Sequence, residues 1–203
     1  MVLTCNDTSS LVVDRLCDMA RERNMAVSCF YVDFAAREEQ SPANILGSLL
    51  KQIVGKLGKI PDEISQMFQD NKEVIGGRGL RGPEIVKLLQ TVTNLQPAFI
   101  CIDALDECVE KYRPEILDSL RQILENSPNA RIFLTGRRHV RGEIDRHLGG
   151  RATVLSIKPS RKLPSTICLG EGFQVYLVGL GCFHYLVCFG SIVLCWVDRV
   201  LLL

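Results

Sequence analysis

Three carboxylates follow directly after an apolar run in the sequence PAFICIDALDEC at residues 97–108: Asp103, Asp106 and Glu107. An apolar run of this length that ends in acidic residues predicts a buried parallel strand with carboxylates at its C-terminal tip. Ligands bind at that edge of open α/β sheets. Carboxylates there suit a hydrated Mg²⁺ and the water near nucleotide phosphates. A strand followed by a helix with an acidic cap is an equally weighted alternative on these residues alone.

A second polar element, Thr135-Gly136-Arg137-Arg138, comes at the end of another predicted strand, which begins at Ala130. An arginine at a strand end can bind a terminal phosphate through two parallel hydrogen bonds. A solvated basic turn is the more frequent explanation of such a motif by itself. The two strand ends together predict metal-binding carboxylates beside a phosphate-sensing arginine.

The sequence contains no phosphate loop of the form G-x-x-x-x-G-K-[ST], which surrounds phosphates with backbone N–H groups and a lysine. Gly55-Lys56 is followed by Leu57 and lies within an apolar helical pattern. His139 and His147 have no Cys or Glu at ligand spacing. We therefore expect the phosphate side of a nucleotide site to be missing, and the histidines to lie at the surface.

Strands and helices are predicted to alternate along the first 157 residues, which favours a parallel sheet with helices on both faces. Period-two and β-former-rich runs predict strands, whereas apolar positions at helical spacing predict helices. The predicted strands span residues 25–34, 97–103, 130–135 and 152–157. The predicted helices span residues 11–24, 42–57, 61–68, 83–95, 114–125 and 140–148.

Composition limits the classes of function. A net charge of +1 gives no electrostatic basis for nucleic-acid binding. The nine cysteines are odd in number and form no C-x-x-C pair that would suggest zinc or a redox site. Five of them lie among predicted helix and strand residues, which indicates buried thiols and a reducing compartment for that part of the chain. These five are Cys5, Cys17, Cys29, Cys101 and Cys108. We expect the α/β part to be cytoplasmic.

The C-terminal region has a different composition, since residues 173–197 contain no Asp, Glu, Lys or Arg. This run is long enough to cross a bilayer and predicts an apolar helix that anchors the chain to a membrane by a single span. Intron read-through in the gene model is the alternative explanation of the segment. The predicted organisation is an α/β domain at 1–161, a linker at 162–172 and an apolar tail at 173–203.

The acidic strand and the arginine turn resemble those of the NACHT-type P-loop NTPase domain of fungal NOD-like receptors, which include heterokaryon-incompatibility proteins of the STAND class. The same module is known as the nephrocystin-type N-terminal domain. The resemblance covers about residues 9–161, and its most specific motifs are FICIDALDEC at 99–108 and RIFLTGR at 131–137. Further similar segments are LVVDRL at 11–16, CFYVDF at 29–34 and SIKPSR at 156–161.

The resemblance implies a P-loop NTPase (STAND/AAA-like) parallel sheet that lacks its first strand and phosphate loop. In the family, that strand lies between the arginine strand and the last strand. Asp103 would bind Mg²⁺, Asp106 and Glu107 would position the hydrolytic water, and Arg137 would sense the γ-phosphate. The nucleotide would be ATP, and the output would be homotypic association of receptor chains.

Three functions follow as expectations. The first is a partial NACHT nucleotide-binding module of a signalling receptor, with ATP binding impaired by the missing loop. The second is an active NTPase whose phosphate loop is supplied by another chain or by an N-terminal extension. The third is a membrane-anchored, non-enzymatic interaction protein with a P-loop-NTPase-like domain.

Overall fold

The computed structural model describes residues 5–62, 64–66, 69, 79–149, 152–156, 173–179, 183–189 and 192–198. Five α-helices and seven strands are assigned in these ranges. The helices are α1 (Cys5–Arg23), α2 (Pro42–Val54), α3 (Gly82–Leu95), α4 (Arg113–Asn126) and α5 (Arg141–Leu148). The strands are β1 (Ala26–Tyr31), β2 (Ala98–Asp103), β3 (Ala130–Arg137), β4 (Ala152–Ser156), β5 (Phe173–Gly179), β6 (Phe183–Phe189) and β7 (Ile192–Asp198).

Local sequence explains where α2 begins and which face it buries. The Ser41 hydroxyl accepts a hydrogen bond from the Asn44 backbone N–H at 3.3 Å, and Pro42 occupies the first turn. The apolar side chains recur at helical spacing, so that one side of the helix is buried. These buried residues are Ile45, Leu46, Leu49, Leu50 and Ile53.

The main sheet has five strands in the order β1-β2-β3-β5-β4. β1, β2 and β3 are parallel, with Cys29 opposite Cys101 and Cys101 opposite Phe133. β5 is antiparallel to both of its neighbours, β3 and β4. β6 and β7 form a separate antiparallel pair.

Apolar clusters cover both faces of the parallel strands. Ile100 and Ile102 of β2 belong to the larger cluster, which includes buried aliphatic residues of α2, α3, α4 and α5. The intervening Phe99 and Cys101 belong to a smaller cluster with Val13 and Leu16 of α1. Because both sets are almost fully buried, β2 is a central strand, as its continuous apolar sequence predicts.

The predicted alternation of helices and strands is confirmed, with boundaries that shift by a few residues, and β1, β2 and β3 form a parallel sheet. The main sheet as a whole is mixed, because the predicted strand at 152–157 pairs with the antiparallel β5. The assignment to the P-loop NTPase type stays a prediction. Residues 62 and 64–66 of the predicted helix at 61–68 are helical, and the rest of its C-terminal half lies outside the described residues. The cysteines at positions 17, 29, 101 and 108 are free thiols, as predicted. The linker at 162–172 lies outside the described residues, and the division at residue 161 stays a prediction.

The prediction of an apolar C-terminal helix is wrong for the segments that the structure describes, because residues 173–179, 183–189 and 192–198 are strands. The residue types give a physical reason. Valine, isoleucine and aromatic residues favour strands, and Gly179, Gly181 and Gly190 interrupt the run where a continuous helix would lose stability. Within the described residues, none of the helices has the length and hydropathy that a membrane span requires.

Candidate functional site

The C-terminal ends of β1, β2 and β3 lie side by side at one edge of the sheet. Tyr31, the last residue of β1, is opposite Asp103, the last residue of β2. The backbone N–H of Val32 donates to the Asp103 carbonyl oxygen at 3.1 Å, which continues the pairing beyond the strand. Arg137 ends β3 at the same edge. Parallel pairing therefore brings the predicted acidic and basic residues together.

Asp103 is held by Thr135 of the neighbouring strand. Its side chain is almost fully buried, and its Oδ1 accepts a hydrogen bond from the Thr135 hydroxyl. Thr135 Oγ1 in turn accepts the backbone N–H of Ala104 at 2.9 Å. Ala104 has a left-handed backbone with φ of 56°, and it turns the chain out of β2 into a short 3₁₀ helix at Leu105–Glu107. The turn places the next two carboxylates beside β3.

Asp106 binds Arg137 through both of its carboxylate oxygens. Oδ1 accepts the Arg137 backbone N–H at 3.1 Å, and Oδ2 lies 3.3 Å from the guanidinium Nε. The Asp106 side chain is 6% exposed, whereas that of Arg137 is 66% exposed. The arginine is thus anchored at its base while most of its surface faces solvent.

Gly136 lies between the Asp106 turn and Val140. A Cβ at this position would lie 3.0 Å from Val140 Cγ2 and 3.4 Å from Asp106 Oδ1. The first distance is shorter than ordinary van der Waals contact, so a larger residue would have to displace the Val140 side chain, whereas Asp106 would stay at the limit of ordinary contact. The glycine of the T-G-R motif therefore has a packing role at this site.

Glu107 lies half-buried next to Asp106. Burial raises the pKa of its carboxyl group, and the negative charge of Asp106 raises it further. The Phe34 backbone N–H and the Arg137 guanidinium act in the opposite direction. A raised pKa brings a carboxyl group closer to the range in which it can exchange a proton with water near neutrality.

The donor set fits a metal ion only if other ligands complete its coordination. No group of three or more His, Cys, Asp or Glu side chains suited to a metal occurs among the residues that the structure describes. Asp106 binds Arg137 through both oxygens, whereas the contact of Asp103 with Thr135 uses its Oδ1 alone and Glu107 is half-buried beside the Phe34 backbone. Asp103 and Glu107 are therefore the carboxylates with an oxygen left for a metal. Mg²⁺ is often bound by one or two protein carboxylates together with phosphate oxygens and water. These residues therefore fit a metal that arrives with a phosphate ligand.

The structure brings together all four residues singled out from the sequence, namely Asp103, Asp106, Glu107 and Arg137. Their assigned roles in binding Mg²⁺ and ATP stay predictions. Sequence reasoning gave no role to Thr135 or to the left-handed Ala104. For Thr135, its position in the T-G-R motif was the one available indication of a role. For Ala104, the residue type gives no indication of a positive φ.

His139 and His147 are separate from this arrangement of side chains. His139 is exposed, whereas His147 is half-buried and its Nδ1 lies 3.0 Å from Asp118 Oδ1. The latter contact joins α5 to α4. The prediction of a surface position is therefore right for His139 and too simple for His147.

Comparison with known proteins gives one family. The family model described as "Nephrocystin 3, N-terminal" matches residues 8–137, which include β1 to β3 and every residue of the candidate site. Neither the curated proteins nor the solved structures contain a significant match to the chain.

Proposed function

The chain belongs to the nephrocystin 3 N-terminal family, and we propose that it is a NACHT-like nucleotide-binding module of a signalling receptor. The observation that carries the proposal is the junction of β2 and β3, where a buried aspartate and an anchored arginine end adjacent parallel strands. This edge is where open α/β sheets bind ligands. The finer assignment, to a fungal NOD-like receptor of the incompatibility type, rests on the resemblance of the motifs.

Each residue has a defined place in this proposal. Asp103 binds Mg²⁺, whose positive charge would neutralise the phosphates of ATP. Arg137 contacts the terminal phosphate with the exposed part of its guanidinium. Asp106 orients Arg137, and Glu107, whose pKa is raised, positions the attacking water. Binding of ATP would then bias the association of receptor chains.

We expect binding to be weak because a phosphate loop is not encoded in this sequence. The contacts available to the phosphates are those of the metal and of Arg137. A hydrogen bond to a charged group contributes about 1.5–3 kcal/mol, far less than a complete cradle of N–H groups supplies. Millimolar affinity for Mg-ATP is therefore the expected range.

A non-enzymatic interaction module is the second candidate function. One observation favours it: both oxygens of Asp106 already engage Arg137, one through its backbone N–H and the other through its guanidinium Nε, so that this carboxylate is satisfied without a ligand. In that case the ion pair between Asp106 and Arg137 has a structural role. The surface around this pair would then serve as a binding surface for another protein.

Titration of Mg-ATP into the full chain distinguishes the two functions. We expect ligand-observed NMR to show Mg²⁺-dependent binding that weakens strongly in Asp103→Asn and about 10–100-fold in Arg137→Ala, since a charged hydrogen bond is lost. Arg138→Ala is the matched control, because Arg138 is the next residue and is also exposed. Equal binding by all four proteins, or no binding at millimolar Mg-ATP, contradicts the nucleotide-binding proposal.

A further inference from the structure

Cys29 of β1 and Cys101 of β2 are free thiols that lie directly opposite each other on neighbouring parallel strands. Strands that pair in a sheet lie about 4.7–4.9 Å apart. This spacing falls within the range of about 4.4–6.8 Å between Cα atoms that disulfides bridge. The register of β1 against β2 therefore holds the two cysteines at a distance that a bond between their sulfur atoms can span.

The two side chains lie on the same face of the sheet, which α1 covers. Cys101 belongs to the smaller apolar cluster with Leu16 of α1, and Cys29 packs against that cluster. The Cys101 thiol donates a hydrogen bond to the Cys29 sulfur. Because the two sulfur atoms are already in contact, a disulfide between them needs no rearrangement of the strands.

The two thiols differ in their access to solvent. Cys101 has 0% of its surface exposed, whereas Cys29 is half-buried. A small oxidant from solvent therefore reaches the Cys29 sulfur before that of Cys101. Redox-sensing sites often combine an accessible thiol that reacts first with a neighbouring thiol that resolves the product. Cys29 has the first of these positions and Cys101 has the second.

Gln52 of α2 fixes the backbone at Cys29. Its side-chain oxygen accepts the Cys29 N–H, and its side-chain nitrogen donates to the Cys29 carbonyl oxygen, each at 2.9 Å. These contacts satisfy the backbone groups of the edge strand that point away from β2. Cys29 is thus held by the sheet on one side and by α2 on the other. Groups that are already held in a reactive arrangement lose less freedom when they react, which favours the reaction between them.

We propose that Cys29 and Cys101 form a modification site for hydroperoxides, at which oxidation joins β1 to β2 through a reversible disulfide. In the first step, the Cys29 sulfur attacks an oxygen of the hydroperoxide. The O–O bond breaks, Cys29 becomes a sulfenic acid, and the other oxygen leaves as water or an alcohol with the thiol proton. The Cys101 sulfur then attacks the Cys29 sulfur, and the hydroxyl group leaves as water with the Cys101 proton. The two thiols together lose two electrons, which reduce the hydroperoxide.

The disulfide ties an edge strand to a central strand beside the candidate site. β1 is at the end of the main sheet, and Tyr31 and Asp103 are the register pair two residues beyond the cysteines. A disulfide between residues about 70 positions apart stabilises the folded state by restricting the unfolded chain. In a reducing compartment, such bonds are usually transient and redox-sensing. This inference is independent of nucleotide binding.

Treatment of the full chain with hydrogen peroxide tests the proposal. The remaining thiols are then blocked with iodoacetamide, and mass spectrometry of the digested protein identifies the cross-linked peptides. We expect the bond between Cys29 and Cys101 to be the first disulfide that forms, and dithiothreitol to reverse it. The oxidised protein should unfold at a temperature higher by about 5 °C or more. Cys108 is the matched control and should stay reduced, because it is a free thiol with 3% of its surface exposed and belongs to the larger cluster.

Two variants separate the roles of the two thiols. Cys101→Ala removes the resolving thiol, and we expect dimedone to label the Cys29 sulfenic acid at least about tenfold more than in the wild-type protein. Cys29→Ala removes the thiol that reacts first, and Cys101 should then stay reduced. A first disulfide from Cys29 to Cys17 or between two molecules overturns the proposal, and so does oxidation of Cys108 as fast as that of Cys29. The mapping of the wild-type protein decides these outcomes even if a variant fails to fold.

Discussion

Thr135 connects the two strand ends that carry the candidate site. Its hydroxyl group donates to the buried Asp103 carboxylate and accepts the N–H of Ala104, so that a single oxygen satisfies two groups of β2 and its turn. A methyl group in its place would leave both without this partner. Buried polar groups without partners cost more free energy than a hydrogen bond contributes on average.

We expect Thr135→Val, which keeps the shape of the side chain, to lower the free energy of unfolding by about 2–3 kcal/mol. Urea unfolding followed by circular dichroism measures this change. Thr91→Val is the matched control, because the Thr91 hydroxyl donates only to the Lys87 carbonyl within its own exposed helix turn. If the two variants lose the same free energy of unfolding, the hydroxyl group of Thr135 does not have the stabilising role proposed for it.

At the scale of single residues, the sequence predicted which side chains meet but not how they bind each other. Asp103 and Arg137 each come at the end of a predicted strand. Because neighbouring parallel strands run in the same direction, the sequence predicted that both residues lie at the same edge of the sheet. The contact between Asp106 and Arg137 depends on the register of β2 against β3 and on the left-handed turn at Ala104. Neither the register nor the turn has a signal in these residue types.

At the scale of elements, α4 and α5 are joined by a buried ion pair. Arg113 Nε and one terminal nitrogen each lie 2.9 Å from a carboxylate oxygen of Glu143, and the guanidinium also donates to the Cys108 carbonyl at 3.2 Å. The side chain of Arg113 is 8% exposed, and that of Glu143 is 25% exposed. The pair fixes α5, and with it the turn after Arg137, against α4.

We expect Glu143→Gln to destabilise the protein by about 3 kcal/mol near neutral pH, because the buried Arg113 loses its hydrogen-bonded carboxylate and keeps only the exposed Glu110, whose carboxylate lies 3.9 Å away. Glu125→Gln, in the exposed pair with Arg121, should cost less than about 1 kcal/mol. Guanidinium chloride unfolding of both variants measures the difference. A loss of the same size in the two variants contradicts a stabilising role for the α4–α5 pair.

The same pair predicts a pH dependence. Hydrogen bonds and the charge of Arg113 hold the pKa of Glu143 below its usual value of 4.5. For an acid with a lowered pKa, the stabilisation is present above the unfolded-state pKa and is lost as the pH falls through the folded-state pKa. The difference in the free energy of unfolding between wild type and Glu143→Gln should therefore narrow as the pH falls below about 4.5 and be smallest below the lowered folded-state pKa. Guanidinium chloride unfolding of both proteins over a series of pH values measures this difference.

The C-terminal segment shows why some elements could not be predicted from the sequence. The spacing of apolar residues and the β-forming runs along residues 11–157 predicted the right type of element, because each helix or strand there buries one or two defined faces. A long uncharged run, by contrast, has no polar face whose period distinguishes a helix from buried strands. Its glycines and β-branched residues were the available signal for strands.

At the scale of the whole molecule, the main sheet includes a strand from beyond residue 161. β5 has seven register pairs with β3 and five with β4. Each hydrogen bond in these two ladders contributes about 0.5–1.5 kcal/mol. Loss of both ladders is therefore comparable with the total stability of a typical domain, about 5–15 kcal/mol.

Two truncations test this dependence. A chain that ends at Arg161 lacks β5, and we expect it to lose cooperative thermal unfolding and to self-associate through the exposed edges of β3 and β4. A chain that ends at Gly181 keeps β5 and, of the strands in the described part of the chain, lacks β6 and β7. It should unfold at nearly the same temperature as the full chain and sediment as the same species. If the shorter chain is as stable as the longer one, residues 1–161 form a complete domain, and the sheet does not need β5.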